Sequence, residues 1–135
     1  AGVPMLLLYL FEGEEMEKGM TYMRGKVKDY LNYKEEYGEP DFAERFSVWK
    51  KTVVIPENDK KKILQYLQKI IDERIEVIVS CQHRGSYRKA AGLGAALGEV
   101  EEVMGIKYGK TIRLRKYLNQ FPRHRAFKKE IDIFL

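Results

Sequence analysis

Residues 83–105 read HRGSYRKAAGLGAALGEVEEVMG, and their reading decides the fold. Tyr87, Ala90, Ala91, Gly94, Leu97, Val100 and Met104 recur three or four residues apart, the repeat of one helix face. Gly92, Gly94 and Gly98, with Ala90, Ala91, Ala95 and Ala96, make a poor free-standing helix, because glycine loses backbone entropy there without a side-chain contact in return. Such residues suit a helix that others approach closely, since helix axes draw together as the contact side chains shrink. The expectation is an inner helix sandwiched between neighbours and ended by Gly105. A phosphate loop is the competing reading. Such a loop places its glycines before a helix, with a Lys and a Ser or Thr behind them, whereas Gly92 to Gly98 lies inside the helical pattern.

Just ahead of this helix, Gly85 permits a turn and Ser86 is placed as an N-cap. Arg84, Ser86, Arg88 and Lys89 flank the helix start, where free N–H groups favour negative charge, so phosphate or an acidic peptide is the ligand expected there. Upstream, Ile63, Leu64, Leu67, Ile70, Ile71, Ile75, Ile78 and Val79 give a wide apolar face over a helix from about Asp59, capped by Asn58 or Asp59, to Ser80. Lys51 to Pro56 reads as an extended connector. Asp41 caps a helix containing Phe42, Phe46 and Trp49, after a stop at Gly38-Glu39-Pro40. Met16, Met20, Met23, Val27, Tyr30 and Leu31 stripe the stretch Glu14 to Tyr37, with a break expected near Gly25. Pro4 to Glu12 forms a short first helix, and an exposed Leu6, Leu7 and Leu10 face would signal a missing neighbour. Downstream, helices are expected over Thr111 to Phe121, stopped by Pro122, and over Arg125 to Phe134.

With no credible sheet, the class is all-α, a single helical domain over residues 1–135. A chain of 135 residues, 44% apolar and 33% charged, with a mean hydropathy of −0.46, can bury a core without crosslinks. The apolar run Met5 to Phe11 is far short of the roughly 20 residues a bilayer span needs, and it lacks the flanks of a signal peptide. No membrane association is therefore expected. The abrupt start at Ala1-Gly2-Val3-Pro4 is what a piece of a longer protein would show. The one cysteine, Cys81, excludes an internal disulfide and implies a reducing, cytoplasmic setting.

Positive charge is concentrated late in the chain. Ile106 to Lys129 holds nine basic residues and no acidic one, within a net charge of +5. Arg113 and Lys116 share one face of their helix, and Arg123 and Arg125 follow Pro122. Such a face suits an acidic protein partner or, alternatively, the phosphates of nucleic acid. On the second reading, neutralising Arg113, Lys116 and Arg123 together would abolish binding.

Leu97-Gly98, with Pro122 24 positions later, is similar to the Leu-Gly and closing Pro of a tetratricopeptide repeat, although Gly94, Glu101 and Lys110 depart from the pattern. The resemblance implies antiparallel helical hairpins stacked as a short tetratricopeptide-like solenoid. Ser86 to Ala91, the Gly105 stop and Phe121-Pro122-Arg123-His124-Arg125-Ala126-Phe127-Lys128-Lys129-Glu130 also resemble the helical-repeat tail of bacterial SWIM-type zinc-finger proteins, over Asp59 to the end. The Cys-x-Cys and Cys-x-His pairs of that finger are missing, so the resemblance implies a helical scaffold, one portion of a larger protein, and no zinc.

Other candidates read as structural. Cys81 and His83 are too few for zinc, which takes about four ligands, and Cys81 beside an apolar stripe suggests a buried thiol. Glu14-Glu15, Glu35-Glu36 and Glu101-Glu102 read as solubilising charges on helix exteriors, because consecutive helix residues do not face a common point. No catalytic constellation and no cofactor are expected. The function expected is that of a non-enzymatic scaffold or protein-interaction module.

Overall fold

The computed structural model describes residues 2–12, 15–31 and 42–135. Among them the chain forms α1 (Gly2–Leu10), α2 (Lys18–Tyr30), α3 (Phe42–Thr52), α4 (Glu57–Ser80), a single 3₁₀ turn (Arg84–Ser86), α5 (Tyr87–Val103), α6 (Gly109–Gln120) and α7 (Arg125–Phe134), with no strand. The all-α class is what the periodicities predict. The expected Gly38-Glu39-Pro40 stop and Asp41 cap lie outside the described residues.

The small-residue helix is the centre of the molecule. Every residue of α5 from Ala90 to Glu101 is buried, and α1, α2, α4, α6 and α7 all pack against it. Its small side chains are what allow five helices to reach it. A Cβ added to Gly98 would overlap the Cα of Lys110 on α6, and one on Gly19 of α2 would lie 2.5 Å from the backbone nitrogen of Ala96. Gly92 and Gly94 receive the rings of Tyr22 and Tyr117. Gly19 therefore serves packing, and α2 runs unbroken through both Gly19 and Gly25, contrary to the expected break.

Apolar faces from the other helices complete the core: Leu7, Leu8 and Leu10 of α1, Met20, Met23 and Val27 of α2, Leu67, Ile71, Ile75 and Val79 of α4, Leu114 of α6, and Phe127 and Ile131 of α7. The apolar face of α1 is thus covered within the chain. Helix α3 joins through its rings, with Phe46 edge-on to Tyr9 at 5.2 Å between centroids.

The ends of α4 and α5 close in the same way. His83 N–H bonds Ile78 O (2.9 Å) and Gln82 N–H bonds Val79 O (3.0 Å). Ile106 N–H bonds Glu101 O (2.9 Å) and Gly105 N–H bonds Glu102 O (3.1 Å). This Schellman pairing requires a left-handed residue, supplied by Gln82 (φ 56°) and Gly105 (φ 103°). Nothing lies within 4 Å of a Cβ built at Gly105, so Gly105→Ala isolates the backbone cost. Urea unfolding of that variant should show a loss of about 1–2 kcal/mol, and an unchanged midpoint would mean that the turn is not formed.

Three local expectations are corrected. Helix α4 begins at Glu57 after Pro56, placing Asn58 and Asp59 in its first turn rather than at the cap. Ser86 holds the N-cap position of α5 as expected, but it also ends the 3₁₀ turn and makes no side-chain capping bond. Cys81 is exposed, since it falls two residues past Val79, where the buried stripe ends.

Candidate anion-binding cleft

Much of the late basic cluster is spent inside the fold. Arg113 projects from α6 into the seam with α4 and α5, and its side chain is only 11% exposed. Its guanidinium bonds both oxygens of Glu101, with Nη2–Oε2 at 2.9 Å, and also Asp72 Oδ1 (2.9 Å) and the Tyr117 hydroxyl (3.1 Å). Tyr117 in turn donates to Asp72 Oδ1 (2.6 Å), Gln68 to Glu101 Oε2 (2.9 Å) and Lys116 to Asp72 Oδ2 (3.1 Å). Burial opposes the Arg113 charge, but the Glu101 bonds overcome it and raise the guanidinium pKa. Burial raises the Tyr117 pKa as well. Arg113 is therefore no part of a free positive face, and Lys116, though exposed, is already held by Asp72. Glu101, expected on the exterior, is buried because α6 and α4 cover its side of α5.

A second polar cluster ties α2 to α5 and α6. Glu99 accepts from the backbone N–H groups of Gly19 and Met20, each at 2.8 Å, and its carboxylate lies 3.2 Å from Lys110 Nζ. Lys110 also reaches Glu17 at 3.2 Å. No side chain caps the start of α2 from within that helix, so a carboxylate from across the core satisfies its first N–H groups and meets the positive end of its dipole.

Burial pushes the Glu99 carboxyl above its ordinary value of 4.5, against the bonds from Met20, Lys110 and Gly19. The folded state thus holds this proton more tightly than the unfolded chain. Its contribution to stability is full below pH 4.5 and is lost as pH rises through the folded value. The unfolding free energy of wild type minus that of Glu99→Gln, followed by urea titration, should therefore fall from pH 4.5 upward and then level off. A flat difference would contradict the assignment.

Four other cations, Arg84, Arg123, Arg125 and Lys129, line one cleft. Gln82 and Arg84, from the turn between α4 and α5, face Arg123, His124, Arg125, Ala126 and Lys129, from the turn into α7, across a cleft of about 650 Å³. Tyr87 lines its base and packs edge-on to Phe127 at 5.7 Å, which meets Phe121 at 6.0 Å, while the His124 ring stands edge-on to Phe121 at 5.8 Å. Both Tyr87 and Phe127 are buried, so the two basic turns are fastened to each other through an aromatic contact. Among the described residues no carboxylate lines the cleft. Arg84, Arg123, Arg125 and Lys129 form no ion pair among the described residues.

Of the residues singled out in the sequence, the fold brings Arg84, Arg123 and Arg125 together. Arg88 and Ser86 line no part of this cleft: Arg88 is held by Glu130 of α7 at 3.0 Å. Lys89 is exposed outside it, and Arg113 and Lys116 sit in the network with Asp72. Lys129 and Gln82 are additions. The spacing of Arg125 and Lys129, four apart on a helix, was the available signal.

Among the described residues no three His, Cys, Asp or Glu side chains are grouped to hold a metal, and no helix is long and apolar enough to cross a membrane. Compared with protein-family models, curated proteins and solved structures, the chain has no significant match.

Proposed function

We propose that this domain is a non-enzymatic interaction module that docks an acidic segment of a protein partner in the cleft between the α4–α5 and α6–α7 turns. The observation that supports this most is the contrast in charge. Lys110, Arg113, Lys116 and Arg88 are matched by carboxylates of the same chain, whereas Arg84, Arg123, Arg125 and Lys129 share one cleft with none among the described residues. The reading carries the domain as a helical scaffold portion of tetratricopeptide-like character within a larger protein, in a reducing, cytoplasmic setting.

A fluorescently labelled peptide rich in Asp and Glu tests the reading. It should bind the domain with an affinity that falls as salt rises, and Arg84→Gln/Arg123→Gln/Arg125→Gln should abolish binding while leaving the melting temperature at or above that of wild type. Nucleic acid is the second reading, supported by Lys107, Arg115 and Lys128, which are exposed beyond the cleft. Labelled single- and double-stranded DNA and RNA, between about 50 and 200 mM salt, decide it. Tight binding with a steep salt slope would replace the peptide reading.

A further inference from the structure

We infer that the group the cleft receives is a phosphoryl group on the partner peptide, an inference that rests on the docking reading above. Three guanidiniums and one ammonium surround a single recess, with Arg125 and Lys129 one turn apart on α7. Like charges so placed repel one another in the empty protein. One side-chain carboxylate carries one negative charge and occupies one guanidinium fork. A phosphomonoester carries about −1.5 to −2 near pH 7 and presents three acceptor oxygens, enough to engage several of these forks together. Arginine predominates over lysine here, as its planar fork matches phosphate geometry in pairs of bonds.

The charge is also local. Three of the four cations on α6, namely Lys110, Arg113 and Lys116, are bound by Glu17, Glu99, Glu101 and Asp72, leaving Arg115. A nucleic-acid backbone gains affinity from many phosphates contacted in succession. A single cluster with most of its α6 flank neutralised fits one phosphoryl group better. The aromatic packing of Tyr87, Phe127 and Phe121 holds the two basic turns at a fixed spacing before any ligand arrives, which reduces the ordering that binding requires.

The experiment uses the full chain and one peptide in three forms, with phosphoserine, serine or glutamate at its centre, and a single-stranded RNA of similar length, each followed by titration calorimetry. The phosphoserine form should bind about tenfold or more tightly than the glutamate form, and weaken below about pH 6 as the phosphate gains its second proton. Arg84→Gln, Arg123→Gln and Arg125→Gln should each reduce that affinity, Arg123→Lys should retain part of it, and Arg74→Gln, on exposed α4 surface, should leave it unchanged. Inorganic phosphate should raise the melting temperature of the wild type and not of the triple glutamine variant. Equal binding of the glutamate and phosphoserine forms would overturn the phosphoryl assignment and leave acidic docking standing. Binding of none of the peptides would overturn both. Tighter binding of the RNA, lost in the same variants, would overturn both in favour of nucleic acid.

Discussion

Glu99→Ala is expected to lower the unfolding free energy by about 3–5 kcal/mol, the range for removing one member of a buried charged pair. The carboxylate is 2% exposed and has three partners, the N–H groups of Gly19 and Met20 and the Lys110 ammonium. Removing it strands two buried N–H donors at the start of α2 and leaves Lys110 with Glu17 alone, which is exposed. Thermal and urea unfolding measure the loss. Hydrogen exchange supplies the discriminating readout, because the amides of Gly19 and Met20 should lose protection before those of α4. A variant as stable as wild type would mean that α2 is not fastened to α5 through this carboxylate.

Arg113→Ala should cost a similar amount, about 3–5 kcal/mol, and should do so without altering anion binding in the cleft. Glu101 is 5% exposed and would lose both of its bonds to the guanidinium, while Asp72 and Tyr117 would each lose one. The double variant Glu101→Leu/Arg113→Met should cost less than the two single changes added together, since replacing a buried pair by apolar groups of similar size removes the stranded charge along with its partner. A loss of peptide affinity in Arg113→Ala at full stability would instead return this side chain to the binding surface. The expectation drawn from helix spacing alone, that neutralising Arg113, Lys116 and Arg123 together would test ligand binding, is replaced by this one. The first of those changes tests the core.

Periodicity made the helices legible. The seven helical stretches, the Gly105 stop and the inner position of residues 87–103 follow from apolar spacing and from small residues that make sense only under close approach. Helix α7 falls on its expected limits, Arg125 to Phe134. What a one-dimensional pattern does not carry is which charges meet. Arg113 and Lys116 share a helix face with Gln120, and nothing along the chain says that Asp72, 41 residues earlier, lies opposite. Glu99 and Glu101 did carry a sign of their burial. Each stands in or beside a run of Ala and Gly that several helices must approach, and a carboxylate there needs partners on the approaching helices. The cleft was half legible: the His83 to Arg88 turn and the Pro122 to Arg125 turn were separately suspect, but their meeting depends on Tyr87 packing on Phe127.

The central position of α5 also sets an order of events during synthesis. Helices α2 and α4 both find their main partner in residues 87–103, which leave the ribosome after them. At about 5–20 residues per second, their apolar faces wait on the order of seconds for that cover. During that interval Met20, Met23, Leu67 and Ile71 are a sticky surface on a nascent chain, and a chaperone has reason to hold it until α5 arrives.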